Sequence, residues 1–485
     1  MNPKFEFTAP IKKALFYMMG IGLFGIVYIL ISEFITGEHN HHSRLWSNLL
    51  ANTYYFTGIG LFGMFVVAAA QIAYGGWQTL IKRILLSLSA FAVYGGFALL
   101  AILILGILGV HNLYAHVTHI LQTGAGDPKY TTKLVFFAPA FWISRVAVYA
   151  ILWAGSSYAL NKFFARTDQT DPKVYKRSKL LAAAFIVIFA LTESFISWDM
   201  IMSMDPHWYS TLFGWYNFAS YGCAAWGMTI LIVIFLKSQG YLPQVNENHV
   251  HDLGKMLFGF SIFWTYLWFD QFMLQWYANV PEDTMFWVKR FDVTYFKITV
   301  FGALIINFVF PLFVLITRSS KRNFRLIGFG AALLVFGHYV DFFNFTFVEP
   351  NWNEAAVAEA HESKEAKLKA GQTVLFAEAA EHKAEGTVTD VTPTKENIEA
   401  VATEVKTTEG HGHEAQVHEG GKEHAEEEAA PTQNFAGIGI GEIMVFIGFL
   451  GIFLYLFFNN LSKRPIVPEN DPYLKECERL EVTYS

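Results

Sequence analysis

Residues 84–110 read ILLSLSAFAVYGGFALLAILILGILGV, a run of 27 residues without Asp, Glu, Lys, Arg or His. A helix of this length is about 40 Å long, whereas about twenty apolar helical residues already span the roughly 30 Å hydrocarbon core of a bilayer. A soluble domain would have to bury such a helix on every side. The run therefore predicts a transmembrane helix.

Similar runs recur along the 485-residue chain, in which 53% of the residues are hydrophobic and 16% are charged. Soluble domains carry roughly 25% charged residues, so this composition excludes an ordinary soluble protein. The runs predict about ten membrane-spanning helices and thus an all-α polytopic membrane protein. The predicted helices cover residues 14–36, 53–76, 84–110, 133–161, 179–204, 212–237, 253–279, 296–317, 325–348 and 436–460.

Basic residues are distributed unequally between the loops on the two sides of these helices. Lys and Arg number 21 on the side of the N-terminus and 6 in the opposite short loops. By the positive-inside rule we expect both termini in the cytoplasm of a bacterium and a multi-pass protein of its inner membrane. The first apolar run continues to Phe34 without a small-residue cleavage site, so we expect it to be retained as a helix.

Predicted helices two to five and six to nine show the same order of features. Each set opens with an aromatic segment, at residues 54–58 or 215–219, and closes with an acid followed by proline, at Asp205 or Glu349. Four helices is an even number, so the two copies run parallel about an axis along the membrane normal. We therefore predict two four-helix bundles, residues 51–206 and 207–350. An N-terminal peripheral helix and loop (1–50) and a C-terminal peripheral helix with a cytoplasmic tail (435–485) flank them.

The segment 351–434 differs from the rest of the chain in composition. Residues 349–428 contain 19 acidic residues and 7 Lys, with few large apolar side chains. Such a segment cannot bury enough apolar surface to fold alone, so we expect an acidic, His-rich periplasmic loop that is disordered. A weak metal site is the alternative interpretation of its histidines, but we favour a solvated loop. These histidines are His411, His413, His418 and His424.

Six ionisable residues are predicted to lie within the membrane, where a charge is costly and therefore indicates function. These proton-path candidates are Arg145, Glu193, Asp199, Asp270, His338 and Asp341. His338 and Asp341 are three residues apart and share a helix face. Glu193 and Asp199 are about 120° apart around their helix, so they are expected to face different neighbours.

A structural role is the alternative for each of these charges. Arg145 could neutralise Glu193 and lock two helices together. For Asp205, at a helix end, we favour this structural role. The aromatic side chains of predicted helix seven also have two interpretations, a flat quinone slot or, as we favour, an interfacial aromatic belt. They are Trp264, Tyr266, Trp268, Trp276 and Tyr277.

Two cysteines, Cys223 and Cys477, cannot form a disulfide framework or an iron–sulfur site. The chain has neither the C-x-x-C-H motif of covalent haem nor a phosphate-binding G-x-x-x-x-G-K motif. We therefore expect no cofactor, no metal and no catalytic residue in this chain itself. Nothing in the sequence indicates nucleic acid as a partner.

Two segments resemble a known family. They are SWDMIMSMDPHWYSTLFG (197–214) and WTYLWFDQFMLQWYANVPED (264–283). Together they resemble the NrfD-like membrane subunits of alternative complex III, a quinol:cytochrome c oxidoreductase, and more widely the membrane subunit of polysulfide reductase. The chain is most similar to the second NrfD-like (F) subunit of that complex. The residues that match the family motifs are Asp199, Asp205, His207 and Asp270, whereas the acidic insert departs from the pattern.

The resemblance implies a subunit that contributes scaffold and a candidate proton-conducting half-channel for proton translocation. It implies a paralogous NrfD-like subunit, a multihaem cytochrome c and an iron–sulfur, molybdopterin-like periplasmic subunit as partners, besides membrane lipids and, as a further candidate, a terminal oxidase. Haem c and iron–sulfur clusters would belong to those partners. Quinol is a candidate ligand, although the family's quinol site is assigned to the other NrfD-like subunit. The alternatives are a membrane anchor of another periplasmic oxidoreductase, such as polysulfide reductase, and a stand-alone ion-coupled transporter.

Overall fold

The computed structural model describes residues 4–36, 43–123, 131–164, 172–205, 208–292, 294–348, 438–468 and 471–478. Within these residues the regular structure is helical except for one isolated bridge between Lys4 and Pro465. The predicted all-α class is therefore confirmed. The acidic insert, His207 and Glu349 lie outside the described residues, and the expectations for them remain predictions.

The helices of the described residues follow the predicted apolar runs closely. They are α1 (Ala9–Thr36), α2 (Ser43–Ile72), α3 (Lys82–Ile107), α4 (Ala115–Thr123), α5 (Thr131–Phe136), α6 (Pro139–Phe164), α7 (Pro172–Met200), α8 (Leu212–Ser238), α9 (Glu247–Ala278), α10 (Pro281–Asp292), α11 (Thr294–Leu304), α12 (Phe310–Val314), α13 (Arg318–Arg322), α14 (Phe324–Val348), α15 (Ile440–Leu461) and α16 (Leu474–Glu478). A π-helical turn, Ile305–Val309, joins α11 to α12, so that these two form one continuous segment.

Eight helical spans in the described residues are long and apolar enough to cross a membrane. They are Ala9–Ile35, Ser43–Ile72, Thr79–Ile107, Lys173–Met204, Leu212–Ser238, Tyr295–Val314, Phe324–Val348 and Ile440–Leu461. Two more polar helices, α6 with 26 residues and α9 with 32, are of similar length and complete the ten predicted positions. The chain is a polytopic α-helical membrane protein.

The eight central helices form two rings of four. In the first, α2 and α6 each contact both α3 and α7. In the second, α8 contacts α9 and α14, and the α11–α12 segment contacts the same two helices. Each ring is a four-helix bundle whose members follow one another along the chain.

The two bundles meet through their first and last helices. α2 contacts α8 and α14, and α8 contacts α7. In the predicted repeat, α2 is the first helix of one bundle and α8 the first of the other, while α7 and α14 are the last. The contact between α2 and α14 therefore corresponds to the contact between α8 and α7. Gly58, in the opening segment of the first bundle, permits this approach, because a Cβ there would lie 2.6 Å from the ring of Tyr221. The contacts thus follow the symmetry that the predicted repeat requires.

The peripheral helices α1 and α15 pack along each other, and α15 also contacts α2 and α3. Gly22 and Gly448 bring their backbones together, leaving no room for a Cβ at either position. Small residues allow such close helix packing in membranes, where van der Waals contact drives association. α1 therefore reaches the bundles mainly through α15.

Both ends of the described chain lie at the same end of the helices. Phe5 stacks on Phe458 with ring centroids 5.0 Å apart, and the buried Lys82 ammonium lies 3.0 Å from the Asp471 carboxylate. Nε2 of His249, in α9, lies 2.9 Å from the carbonyl oxygen of Cys477. Residues after α15 thus contact both bundles at this terminal end, whereas α10 lies at the opposite end.

Candidate functional site

Asp341, on α14, is the centre of a hydrogen-bond cluster inside the second bundle. Its side chain is buried and accepts hydrogen bonds from Tyr216 Oη at 2.7 Å, Ser220 Oγ at 2.9 Å and Trp264 Nε1 at 2.9 Å. Tyr216 and Ser220 are one turn apart on α8, so both present their hydroxyls to the same oxygen pair. Three donors can stabilise a buried carboxylate without a direct ion pair.

His338 extends this cluster by one turn of α14. It is fully buried, and its Nδ1 lies 3.0 Å from Ser220 Oγ. Because the single hydroxyl proton of Ser220 is donated to Asp341, Ser220 accepts a hydrogen bond from Nδ1–H of His338. Its Nε2 then has no partner among the described residues. His338 and Asp341 share a helix face, as predicted, but Ser220 links them by hydrogen bonds and they do not contact each other directly.

A narrow cleft of about 20 Å³, enough for one water molecule, reaches Asp341 from the end of the bundle at which α10 lies. Arg290 and Trp287 of α10, Trp268 and Gln271 of α9 and Asn344 of α14 are among its lining residues. The guanidinium of Arg290 lies 3.5 Å from the ring centroid of Phe286 and adds positive potential near Asp341. Asp341 is thus the point at which a polar cleft meets the buried chain of Ser220 and His338.

The π-helical turn lies beside His338. Pro311 has no N–H for the carbonyl four residues earlier, that of Asn307, and this carbonyl accepts a hydrogen bond from Ser261 Oγ instead. The Asn307 side chain is fully buried against Gly337, and its amide has no partner among the described residues. Such turns occur frequently at functional sites.

Glu193, on α7, lies where the two bundles meet. It is 5% exposed, and its Oε2 is 3.4 Å from Ser194 Oγ. Tyr54 of α2 and Tyr221 of α8 are its electrostatic neighbours. Within the described residues Glu193 Oε1 and the Tyr54 hydroxyl have no hydrogen-bond partner, whereas the Tyr221 hydroxyl faces the Glu193 carboxylate. A carboxyl group and a hydroxyl group this close to each other can exchange a proton.

The sequence-based pairing of Arg145 with Glu193 is wrong. Arg145 forms a two-point pair with Asp199, Nε to Oδ2 at 2.9 Å and Nη2 to Oδ1. Asp199 is rotated from Glu193 by about 120° and therefore faces α6 instead of α2 and α8. Arg145 also donates to the carbonyl of Phe136 at 3.1 Å. This closed arrangement has the geometry of a structural lock between α6 and α7.

Two further family-motif residues within the described part of the chain, Asp205 and Asp270, lie apart from these sites. Asp205 pairs with Lys289 of α10 at 2.7 Å, which fits the structural role favoured for it. Asp270 is half-buried on α9 and makes no hydrogen bond or ion pair to a described residue. The structure therefore does not bring Asp270 to Asp341 or Glu193.

The aromatic residues of α9 do not form one slot. Trp264 is buried against Asp341, and Trp268 lines the cleft. Tyr266, Trp276 and Tyr277 are 60%, 66% and 84% exposed on the outside of the bundle. The exposed three fit an interfacial belt, whereas the inner two belong to the Asp341 site.

Sequence reasoning missed Tyr216, Ser220 and Asn307, because it considered only ionisable groups. Hydroxyl and amide side chains are common in membrane helices, so the free-energy cost of burying them does not by itself indicate a functional site. A usable signal was available for Asn307: Pro311 lies four residues later inside an apolar run, and a proline in this position frees a carbonyl. Tyr216 and Ser220 have the i, i+4 spacing of a shared helix face.

Comparison with known proteins supplies no assignment, since no protein-family model matches the chain and no curated protein matches it. Among the described residues no group of three or more His, Cys, Asp or Glu is placed to hold a metal ion. The chemistry of the described sites is therefore that of buried carboxylates, hydroxyls and one imidazole. These groups can accept, hold and pass protons.

Proposed function

We propose that the chain is an integral membrane subunit of a respiratory quinol:cytochrome c oxidoreductase of the alternative complex III type. A contact of the first family-like segment with the helix after the second supports this assignment. Asp205 and Trp208 of the first segment contact α10, the helix that follows the second, through the Lys289 ion pair and a Phe286 stack with centroids 4.1 Å apart. The first segment thus packs against the helix that begins where the second segment ends.

The proposed subunit spans a bacterial inner membrane with both termini in the cytoplasm, which places α10 at the periplasmic end. Its partners at that end are a multihaem cytochrome c and an iron–sulfur subunit, and the paralogous NrfD-like subunit lies in the membrane. Haem c and iron–sulfur clusters belong to these partners. Quinol is a candidate ligand of the membrane part.

The chain of Asp341, Ser220 and His338 carries the proposal of a proton-conducting half-channel. A proton that reaches Asp341 through the cleft can pass to Nδ1 of His338 when His338 holds its own proton on Nε2: Asp341 then donates to Ser220 Oγ while Ser220 donates to Nδ1. Glu193, with the hydroxyls of Tyr54 and Tyr221, provides a second acceptor where the bundles meet. In this proposal the cleft opens toward the periplasm.

Co-purification tests the proposed complex. The full chain, tagged and isolated from native membranes in mild detergent, is expected to carry abundant c-type haem in its difference spectrum. An iron–sulfur or molybdopterin partner without c-type haem would instead identify an anchor of another oxidoreductase. A chain that purifies alone and moves ions would identify a transporter.

The same preparation tests the half-channel. Asp341→Asn is expected to keep quinol:cytochrome c electron transfer while proton movement per electron falls, because the amide cannot release a proton to the chain. Asp270→Asn is the matched control, since Asp270 is half-buried on α9 and the structure does not bring it to Asp341 or Glu193. Normal assembly with unchanged proton movement in Asp341→Asn would refute the half-channel and leave membership of the complex intact.

A further inference from the structure

An open cleft of about 70 Å³ lies at the terminal end of the protein, between α3, α6 and α15. Its described lining contains three cationic residues and no acidic one. The polar lining residues are Arg83, Ser87, Asn161, Asn460, Lys463 and Arg464. Leu86 and Leu461 supply the apolar part of the wall. The cleft thus combines positive charge, amide and hydroxyl groups and apolar surface.

Hydrogen bonds hold the two sides of this cleft together. Arg464 Nη1 donates to the carbonyl of Asn161 at 3.0 Å, and Asn460 Nδ2 donates to Asn161 Oδ1 at 3.3 Å. Asn161 Nδ2 in turn donates to Ser89 Oγ on α3 at 2.9 Å. Three helices thereby fix the position of the polar wall, while Lys463 is exposed at the rim.

The cleft lies at the ends of three helices, the level at which lipid headgroups are expected around a membrane-spanning helix. Arg83 is the second residue of α3, Asn460 is next to last in α15, and Asn161 is within one turn of the end of α6. All three therefore lie within about 5 Å of a helix end. Leu86 is about one turn further along α3, toward the hydrocarbon. The polar wall thus lies at the helix ends and the apolar wall further inside, in the same order as the headgroup and acyl chains of a lipid in a bilayer.

We propose that this cleft binds the phosphate-bearing headgroup of an anionic phospholipid, whose acyl chains follow the apolar wall that includes Leu86. Basic clefts between membrane helices on the cytoplasmic side suit such headgroups. Guanidinium groups offer paired donors to phosphate oxygens, and the lysine at the rim adds a point charge. A bound lipid would join the peripheral helix α15 to the first bundle.

Native mass spectrometry of the purified full chain, with phosphatidylglycerol added in steps, tests this site. Each Lys or Arg near a membrane surface contributes roughly a fivefold factor in affinity, so Lys463→Gln with Arg464→Gln should weaken binding roughly 30-fold. Lys463→Gln alone, at the exposed rim, should weaken it roughly fivefold and leave folding unaffected. Lys176→Gln with Arg177→Gln is the matched control, an exposed adjacent pair on α7 outside the cleft.

The proposal expects wild-type affinity in the control variant and no displacement of lipid by excess inorganic phosphate. Unchanged affinity in both cleft variants would overturn it. Equal losses in the cleft pair and the control pair would also overturn it, because the attraction would then be diffuse. Complete displacement by inorganic phosphate would assign the cleft to a free anion rather than a lipid.

Discussion

Glu193 and Asp199 lie six residues apart on α7, yet the structure predicts opposite responses to neutralisation. Asp199→Asn leaves the guanidinium of Arg145, a side chain only 9% exposed, without the anion that it binds at two points. Glu193→Gln removes a carboxylate that contacts Ser194 Oγ at 3.4 Å and the Tyr221 hydroxyl. The two variants therefore change the same charge on the same helix with different consequences.

The expected magnitudes follow from these contacts. Removing one partner of a buried ion pair costs about 3–5 kcal/mol. Asparagine keeps one carbonyl acceptor for Arg145, so the lower end, about 3 kcal/mol, is expected for Asp199→Asn. Glu193→Gln should change the free energy of unfolding by about 1 kcal/mol or less, the net value of one ordinary hydrogen bond. Arg145→Gln with Asp199→Asn removes both charges and should recover most of the loss.

Thermal unfolding of the purified protein, followed by intrinsic fluorescence, measures these three variants and Arg145→Gln alone against the native chain. A double-mutant cycle isolates the coupling between Arg145 and Asp199. Proton movement per electron, measured on the same complex in liposomes, supplies the functional readout. Glu193→Gln is expected to assemble normally and to lower proton movement, whereas Asp199→Asn should first lose yield and thermal stability.

Two results would refute this reasoning. Equal destabilisation by Glu193→Gln and Asp199→Asn would show that Glu193 also balances a buried cation. If the double variant is no more stable than Asp199→Asn, the stability that Asp199 contributes does not come from its ion pair with Arg145. Unchanged proton movement in a well-assembled Glu193→Gln complex would remove Glu193 from the half-channel without affecting the assignment of the ion pair.

The terminal end and the peripheral helices give two further predictions. Burial raises the pKa of the Cys477 thiol, so alkylation should be slow in the native protein. Asp471→Asn removes the carboxylate that pairs with the buried Lys82 and should accelerate alkylation of Cys477 by up to roughly 100-fold. Cys223, in the core, is the unreactive reference. An unchanged rate would show that the Lys82–Asp471 pair does not hold this part of the chain in place. Gly448→Val should separate α15 from α1 and lower the yield of folded protein in size-exclusion chromatography, because a Cβ at this position meets backbone. Gly20→Val, where a Cβ meets nothing within 4 Å, should leave the yield unchanged.

The fold was predictable because the hydrocarbon core of a bilayer requires each membrane-spanning helix to have a certain length and an apolar composition. The uncharged run 84–110 predicts α3, which ends at Ile107, and the run 212–237 predicts α8, which ends at Ser238. The shared order of features in predicted helices two to five and six to nine also predicted two groups of four. In the described residues the helix contacts form two rings of four.

Partners of the buried charges were less predictable, because they depend on the rotation of each helix about its own axis. A linear sequence places Glu193 and Asp199 at similar distances along the chain from Arg145. Only packing decides that α6 meets the face of α7 that carries Asp199. The angle of about 120° between the two acids correctly implied different neighbours but not which neighbour each would have.

The π-helical turn shows that a backbone signal could have located part of the site without any ionisable residue. Proline inside a membrane helix leaves a carbonyl without its usual donor, and hydrocarbon cannot satisfy that carbonyl, so another group in the protein must do so. Here the freed carbonyl belongs to Asn307, and the donor is Ser261 of α9. The widened turn places the Asn307 amide against Gly337, the residue next to His338. Polar groups near the buried imidazole thus follow from the position of Pro311, and a search for such prolines would have led to the second bundle directly.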